Sequence, residues 1–266
     1  MQARKCLFCG NGVGHSSKSR EHVLPVWLLE SLGGKNSDIF QGTHMTFPGL
    51  VRSHRRQGAR TIVQGQVCRA CNGGWLSQME NRVKPLIVSM NRDSKVALRS
   101  EELRLLGIWA YKTASLINIT SNYRQLFTGR SFRSFYIERA PTQSYMVELG
   151  LALNASGTEM RWRQSNIQFL LVNDEQDVFG SLEQIRNHSC VITLQVGRVL
   201  FQVVGLPSPA WVSIPSEKPL SVELWPNPPE VLDWPLPIET GTTIDVMNVS
   251  PSIRMQSVMP VQVREP

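Results

Sequence analysis

Two Cys-x-x-Cys pairs, Cys6 with Cys9 and Cys68 with Cys71, constrain this chain more than any other feature. Two thiols three positions apart sit on one tight turn and reach one tetrahedral ion, and a second such pair completes a closed four-sulfur zinc shell. The 58 residues between the pairs exceed the spacing of a compact zinc ribbon, so a sizeable piece of structure must be inserted between the two knuckles. The opening "MQARKCLFCG" has no apolar signal core, and no run of about 18 apolar residues follows, so the expected address is the cytoplasm, with no membrane contact. In that reducing compartment paired Cys-x-x-Cys motifs read as a metal site before they read as disulfides. The remaining Cys190, inside "CVITLQV", reads as a small core residue.

Three regions follow from texture, and together they imply an α+β fold. Residues 1–90 carry both cysteine pairs and four of the five histidines, with polar loops and strand-like runs such as "HVLPVWLL" and "ARTIVQGQV". After Cys71, the spacing of Trp75, Met79, Val83 and Leu86 predicts a helix that stops or kinks near Pro85. Residues 91–130 read as a helical connector. Ser100 is its expected N-cap, Glu101 and Glu102 complement the helix dipole, and Leu103, Leu106, Ala110, Thr113 and Ile117 form its apolar face.

From about Ser131 the period becomes two, and "SFYIER", "YMVELGL", "TEMRWR", "IQFLLV" and "CVITLQVGRVLFQVVG" read as strands of a mostly antiparallel sheet, the last a hairpin turning near Gly197. Residues 131–266 are thus expected as a β-rich domain, with a proline-rich tail from Pro207 that is extended on the surface. This region could recognise DNA, form a homodimer or bind a partner protein.

Lys and Arg outnumber Asp and Glu by 28 to 21, a net charge of +7 that favours a polyanionic partner. The basic residues collect in clusters such as "VRSHRRQGAR". Arg20, Arg52, Arg55, Arg56 and Arg60 are the expected phosphate contacts, giving salt-sensitive binding with little sequence preference. His15, His44, His54 and His188 read as surface or polar-core residues, and Trp75, Trp109 and Tyr111 as packing. His22 differs because Glu21 precedes it at the start of an apolar run.

The ordered set "CLFCG", "REHVLP" and "CRACNGGW" resembles the zinc-stapled branch of the HNH, or ββα-metal, endonucleases over about the first 90 residues. The resemblance implies a β-hairpin and helix module in which Glu21 and Asn72 ligate a catalytic Mg²⁺ or Mn²⁺ and His22 is the general base. The substrate would be DNA, double-stranded by expectation, cut to leave 5′-phosphate and 3′-hydroxyl ends. Such nucleases occur in bacteria, phages and mobile elements, where phage defence is a frequent role. The residue types suit that chemistry. Imidazole titrates near neutral pH and can accept a proton from water, while a carboxylate and an amide oxygen are hard ligands for a hard cation.

Family members also carry an Asn shortly before the second cysteine pair that orients the base. That position here is Val63, with Gln64 beside it and His54 nearby in sequence as substitutes. The departure leaves a rival from another class: a non-catalytic, zinc-stabilised module that binds nucleic acid or protein. A weaker third option is a structural adaptor that works through its β-rich part.

Overall fold

A computed structural model describes residues 4–32, 39–46, 50–92, 95–121, 125–142, 145–151, 160–165, 190–205 and 221–236. The fold is mixed α+β. A short ribbon pairs β1 (Glu21–His22) with β4 (Val63–Gln64), antiparallel. It is followed by a helical run comprising α2 (Arg69–Cys71), a wide turn over Asn72–Leu76, and α3 (Ser77–Asn91). Between the ribbon strands lie α1 (Val26–Ser31), β2 (Ile39–Thr46) and β3 (Leu50–Gly58). Beyond them come β5 (Val96–Arg99), α4 (Ser100–Thr120), α5 (Gly129–Glu138), β6 (Tyr145–Leu151), β7 (Met160–Ser165), β8 (Cys190–Val196), β9 (Val199–Gly205), β10 (Ser221–Trp225) and β11 (Val231–Trp234).

Seven strands form one sheet in the order β10-β6-β9-β8-β7-β2-β3. Every neighbouring pair is antiparallel except β2 with β7. The sheet therefore joins strands from the segment between the cysteine pairs to strands beyond residue 145. Its core is read from alternation: Ile192, Leu194 and Val196 pair in register with Val203, Phe201 and Val199, and all six lie in the main apolar cluster. The other face carries buried Thr193, Gln195 and Gln202, with Gln202 Nε2 donating to Thr193 Oγ1. Gly197 turns this hairpin with φ +58°, a conformation open to glycine, as expected from its sequence.

Helix α4 lies against the sheet, and Leu106, Gly107 and residues 109–118 are all buried, the pattern of a helix surrounded by core. Trp109 meets Phe201 edge-on at 5.6 Å between centroids. The expected face of Leu103, Leu106, Ala110, Thr113 and Ile117 is buried in full. Its N-cap is Arg99 rather than Ser100: Ser100 donates its N–H to Glu230 O at the β5–β11 pairing, and the Glu102 carboxylate accepts from Arg99 N–H.

Four further expectations are corrected. "HVLPVWLL" is strand only at His22; Pro25, with its fixed φ and missing N–H, starts α1, which buries Leu28 and Leu29. "SFYIER" lies in α5 apart from its last residue, because Thr128 and Ser131 cap each other and Phe132 and Phe135 bury one face at helical spacing. Pro85 does not end its helix. It is exposed, so the freed carbonyl one turn back faces water, while Met79, Val83, Ile87 and Met90 hold the opposite face in the core. Within the expected surface tail, β10 edges the large sheet and β11 pairs with β5. "IQFLLV", His188 and residues 237–266 lie outside the described residues, as do the side chains of Cys190, His44 and His54.

Candidate metal centre and adjoining cleft

The first knuckle is a turn in which Gly10, at φ +73°, donates its N–H to Cys6 O. The second is the entry to α2, where Cys68 is the N-cap and its sulfur accepts from Cys71 N–H at 3.4 Å. Leu7 N–H donates to Gln66 O and Cys68 N–H to Cys6 Sγ, so backbone bonds tie the knuckles together. All four sulfurs lie within 4.8 Å of one another, and Cys9 Sγ is 3.7 Å from Cys68 Sγ. A disulfide needs about 2.05 Å. Tetrahedral zinc with bonds of about 2.3 Å spaces its sulfurs by about 3.8 Å. The donor set, the spacing and the burial of all four cysteines fit a structural ion such as zinc.

The thiols divide electrostatically. Burial pushes Cys6 up, yet N–H donors of Cys68, Cys9 and Phe8 outweigh it and hold Cys6 below the ordinary thiol value. Burial and the adjacent sulfurs raise Cys9 and Cys71. A dication held at the centre would supply the charge that four clustered thiolates require.

The same knuckles carry a ribbon. Lys18 bridges Cys68, Ser19 donates both its N–H and its hydroxyl to Val67 O, and Val23 N–H bonds Ile62 O. Between these bonds Glu21 faces Gln64 and His22 faces Val63. The helical run begins four residues beyond the ribbon, after the Cys68 cap, and presents Asn72 one turn in. It is anchored at its far end, where Asn91 Oδ1 accepts from Arg198 N–H in the β8–β9 hairpin and Met90 O accepts from the Trp234 indole.

Ribbon, α1 and helix enclose a cleft of about 140 Å³ lined by Arg20, Glu21, His22, Pro25, Val26, Trp27, Asn72 and Glu80. The three residues expected to act together thus border one space. Arg20 is exposed at its rim, Glu21 is buried, and His22 and Asn72 are half-buried. Arg56 is exposed on β3, the outermost strand of the large sheet, and Arg60 is half-buried in the turn Ala59–Thr61. Arg52 and Arg55 also belong to β3, with side chains outside the described ones. Gln64, a sequence candidate for orienting His22, is instead turned back on its own loop, its Oε1 accepting from Gln66 N–H at 3.0 Å.

Two residues packed at the cleft escaped the sequence reading. Lys112 is fully buried, and its ammonium donates to Glu21 Oε1 and to Glu80 Oε1, each at 2.7 Å. Burial acts against this charge, but Glu21 and Glu80 outweigh it and hold Lys112 well above the ordinary lysine value. The signal was present in "IWAYKTASLI": a lone charge inside a buried helix demands a partner. Glu80 lies in the first turn of α3 and lines the same cleft as Asn72 across the wide turn between them.

No helix among the described residues is long and apolar enough to cross a membrane. Comparison with family models, curated proteins and solved structures returned no match.

Proposed function

We propose that this chain is a metal-dependent endonuclease of the HNH type that hydrolyses DNA phosphodiester bonds. The observation that carries the reading is that Glu21, His22 and Asn72 border one cleft, directly beside the four-cysteine cluster. The ribbon-then-helix order and the exposed Arg20 at the rim support it.

In this reading Glu21 and Asn72 hold a Mg²⁺ or Mn²⁺ ion, which when bound neutralises charge developing on the scissile phosphate and the leaving oxygen. His22 takes a proton from the attacking water as its oxygen bonds to phosphorus, and the bond from phosphorus to the 3′ oxygen breaks. That oxygen takes a proton from solvent water and leaves as a 3′-hydroxyl, and the phosphate stays on the 5′ end. Arg20 and Arg56 offer positive charge to the DNA backbone. The cysteine-bound zinc takes no part in the reaction and fixes ribbon against helix.

A specific observation favours the rival, a zinc-stabilised module that binds nucleic acid or protein without cleaving. Val63 stands across from His22 and offers no hydrogen bond to its ring, and the neighbouring Gln64 amide is engaged elsewhere.

One experiment separates the two: plasmid DNA incubated with zinc-loaded protein, with and without added Mg²⁺ or Mn²⁺, beside His22→Ala and Val63→Asn. The nuclease reading predicts nicking or linearisation that needs the cation, is lost in His22→Ala, and is faster in Val63→Asn. Bound but intact plasmid under every condition establishes the module instead.

A further inference from the structure

Among the acidic residues of the cleft, Glu80 has no place in the chemistry derived above, yet it is held as firmly as Glu21. Both carboxylates line the cleft and both bond the same ammonium, while Lys112 itself lies behind the wall with no exposure. The charge count of this triad matters for any cation. Glu21 with Lys112 alone is a neutral pair and draws a dication weakly. Adding Glu80 restores one net negative charge and shares the ammonium between two carboxylates.

We propose that Glu80 is a positioning residue that gives the cleft its affinity for a divalent cation, by balancing Lys112 so that the Glu21 carboxylate keeps an uncompensated charge toward Asn72. The inference rests on the nuclease reading only through the cation held by Glu21 and Asn72. It assigns to Glu80 a part that neither the cysteine spacing nor the Glu-His pair implied.

The test is Mn²⁺ titration of the full-length, zinc-loaded chain, followed by the electron paramagnetic resonance of free Mn²⁺. Glu80→Gln keeps the shape and removes the charge; it is expected to weaken Mn²⁺ binding about tenfold or more. Glu80→Asp keeps the charge and stays close to wild type. The double variant Glu80→Gln with Lys112→Met returns the triad to one net negative charge and recovers most of the loss, which a merely structural role for Glu80 does not predict. A Glu21-dependent Mn²⁺ site that is unchanged in Glu80→Gln, or no better in the double variant, overturns this inference and leaves the nuclease reading standing. Mn²⁺ binding identical in wild type and Glu21→Gln overturns both.

Discussion

Lys112 donates to Glu21 Oε1 at 2.7 Å, joining the centre of the core helix α4 to the two-residue strand that carries the Glu-His pair. The contact means that the cleft is built by the core of the whole fold as well as by the cysteine clasp. Glu80 completes the triad from α3.

Lys112→Met leaves Glu21 buried and Glu80 largely buried without their cation. Loss of one partner from such a buried group costs about 3–5 kcal/mol, to be read from urea denaturation. The pH dependence has a definite sign. Because Lys112 is raised in the folded state, its contribution is complete below the unfolded lysine value of about 10.4 and is lost only as pH rises through the higher folded value. The lysine's own part of the gap between wild type and Lys112→Met therefore holds through neutral pH and is lost in strong alkali.

Cys68→Ser removes one of the four clustered sulfurs, the one that also caps α2 and accepts from Cys71 N–H. Metal analysis should find about one tightly held zinc per wild-type chain and close to none in the variant. The ribbon should lose its protection from amide exchange along with the metal, since it hangs from the same residues.

Gly42 stands beside Trp162 where β2 runs parallel to β7, and a Cβ at Gly42 would lie 2.6 Å from the indole nitrogen of that buried ring. Gly42→Ala forces the ring or the strand aside and is expected to cost about 1–3 kcal/mol. A loss of that size, measured by denaturation, reports the pairing that joins the segment between the cysteine pairs to the large sheet.

Glu148 faces Glu223 across β6 and β10. Burial, with the Glu223 charge adding, raises Glu148 above the usual carboxylate value although the Ser221 hydroxyl donates to it. A carboxyl raised in the folded state favours folding below its unfolded value and loses that contribution as pH rises through its folded one. Glu148→Gln is accordingly more stable than wild type near neutral pH, and the difference vanishes toward about pH 4.

What the sequence revealed divides along physical lines. The cysteine cluster, the 190–205 hairpin and the buried face of α4 were legible because each rests on a local rule: ligand spacing, alternation about a glycine turn, or helical period. The pairing of β2 with β3 was not, since "VRSHRRQGAR" looks like a solvated basic loop and is strand, as far as Gly58, only through partners such as Gln41, Gly42 and Thr43. "SFYIER" failed for a related reason, as alternation over six residues cannot outvote a capped helix that buries Phe132 and Phe135. At the cleft, Glu21, His22 and Asn72 were read from motif order, whereas Lys112 and Glu80 become visible only once α3, α4 and the ribbon are packed together.

Crystals of the zinc-loaded protein soaked in Mn²⁺ and measured for anomalous scattering locate the second cation directly. The expected peak lies in the cleft, within about 2.2 Å of a Glu21 carboxylate oxygen and the Asn72 amide oxygen, with His22 beside the open side of the ion. Manganese found nowhere in the cleft at saturating concentration would contradict the assignment of these residues to a cation-dependent nuclease.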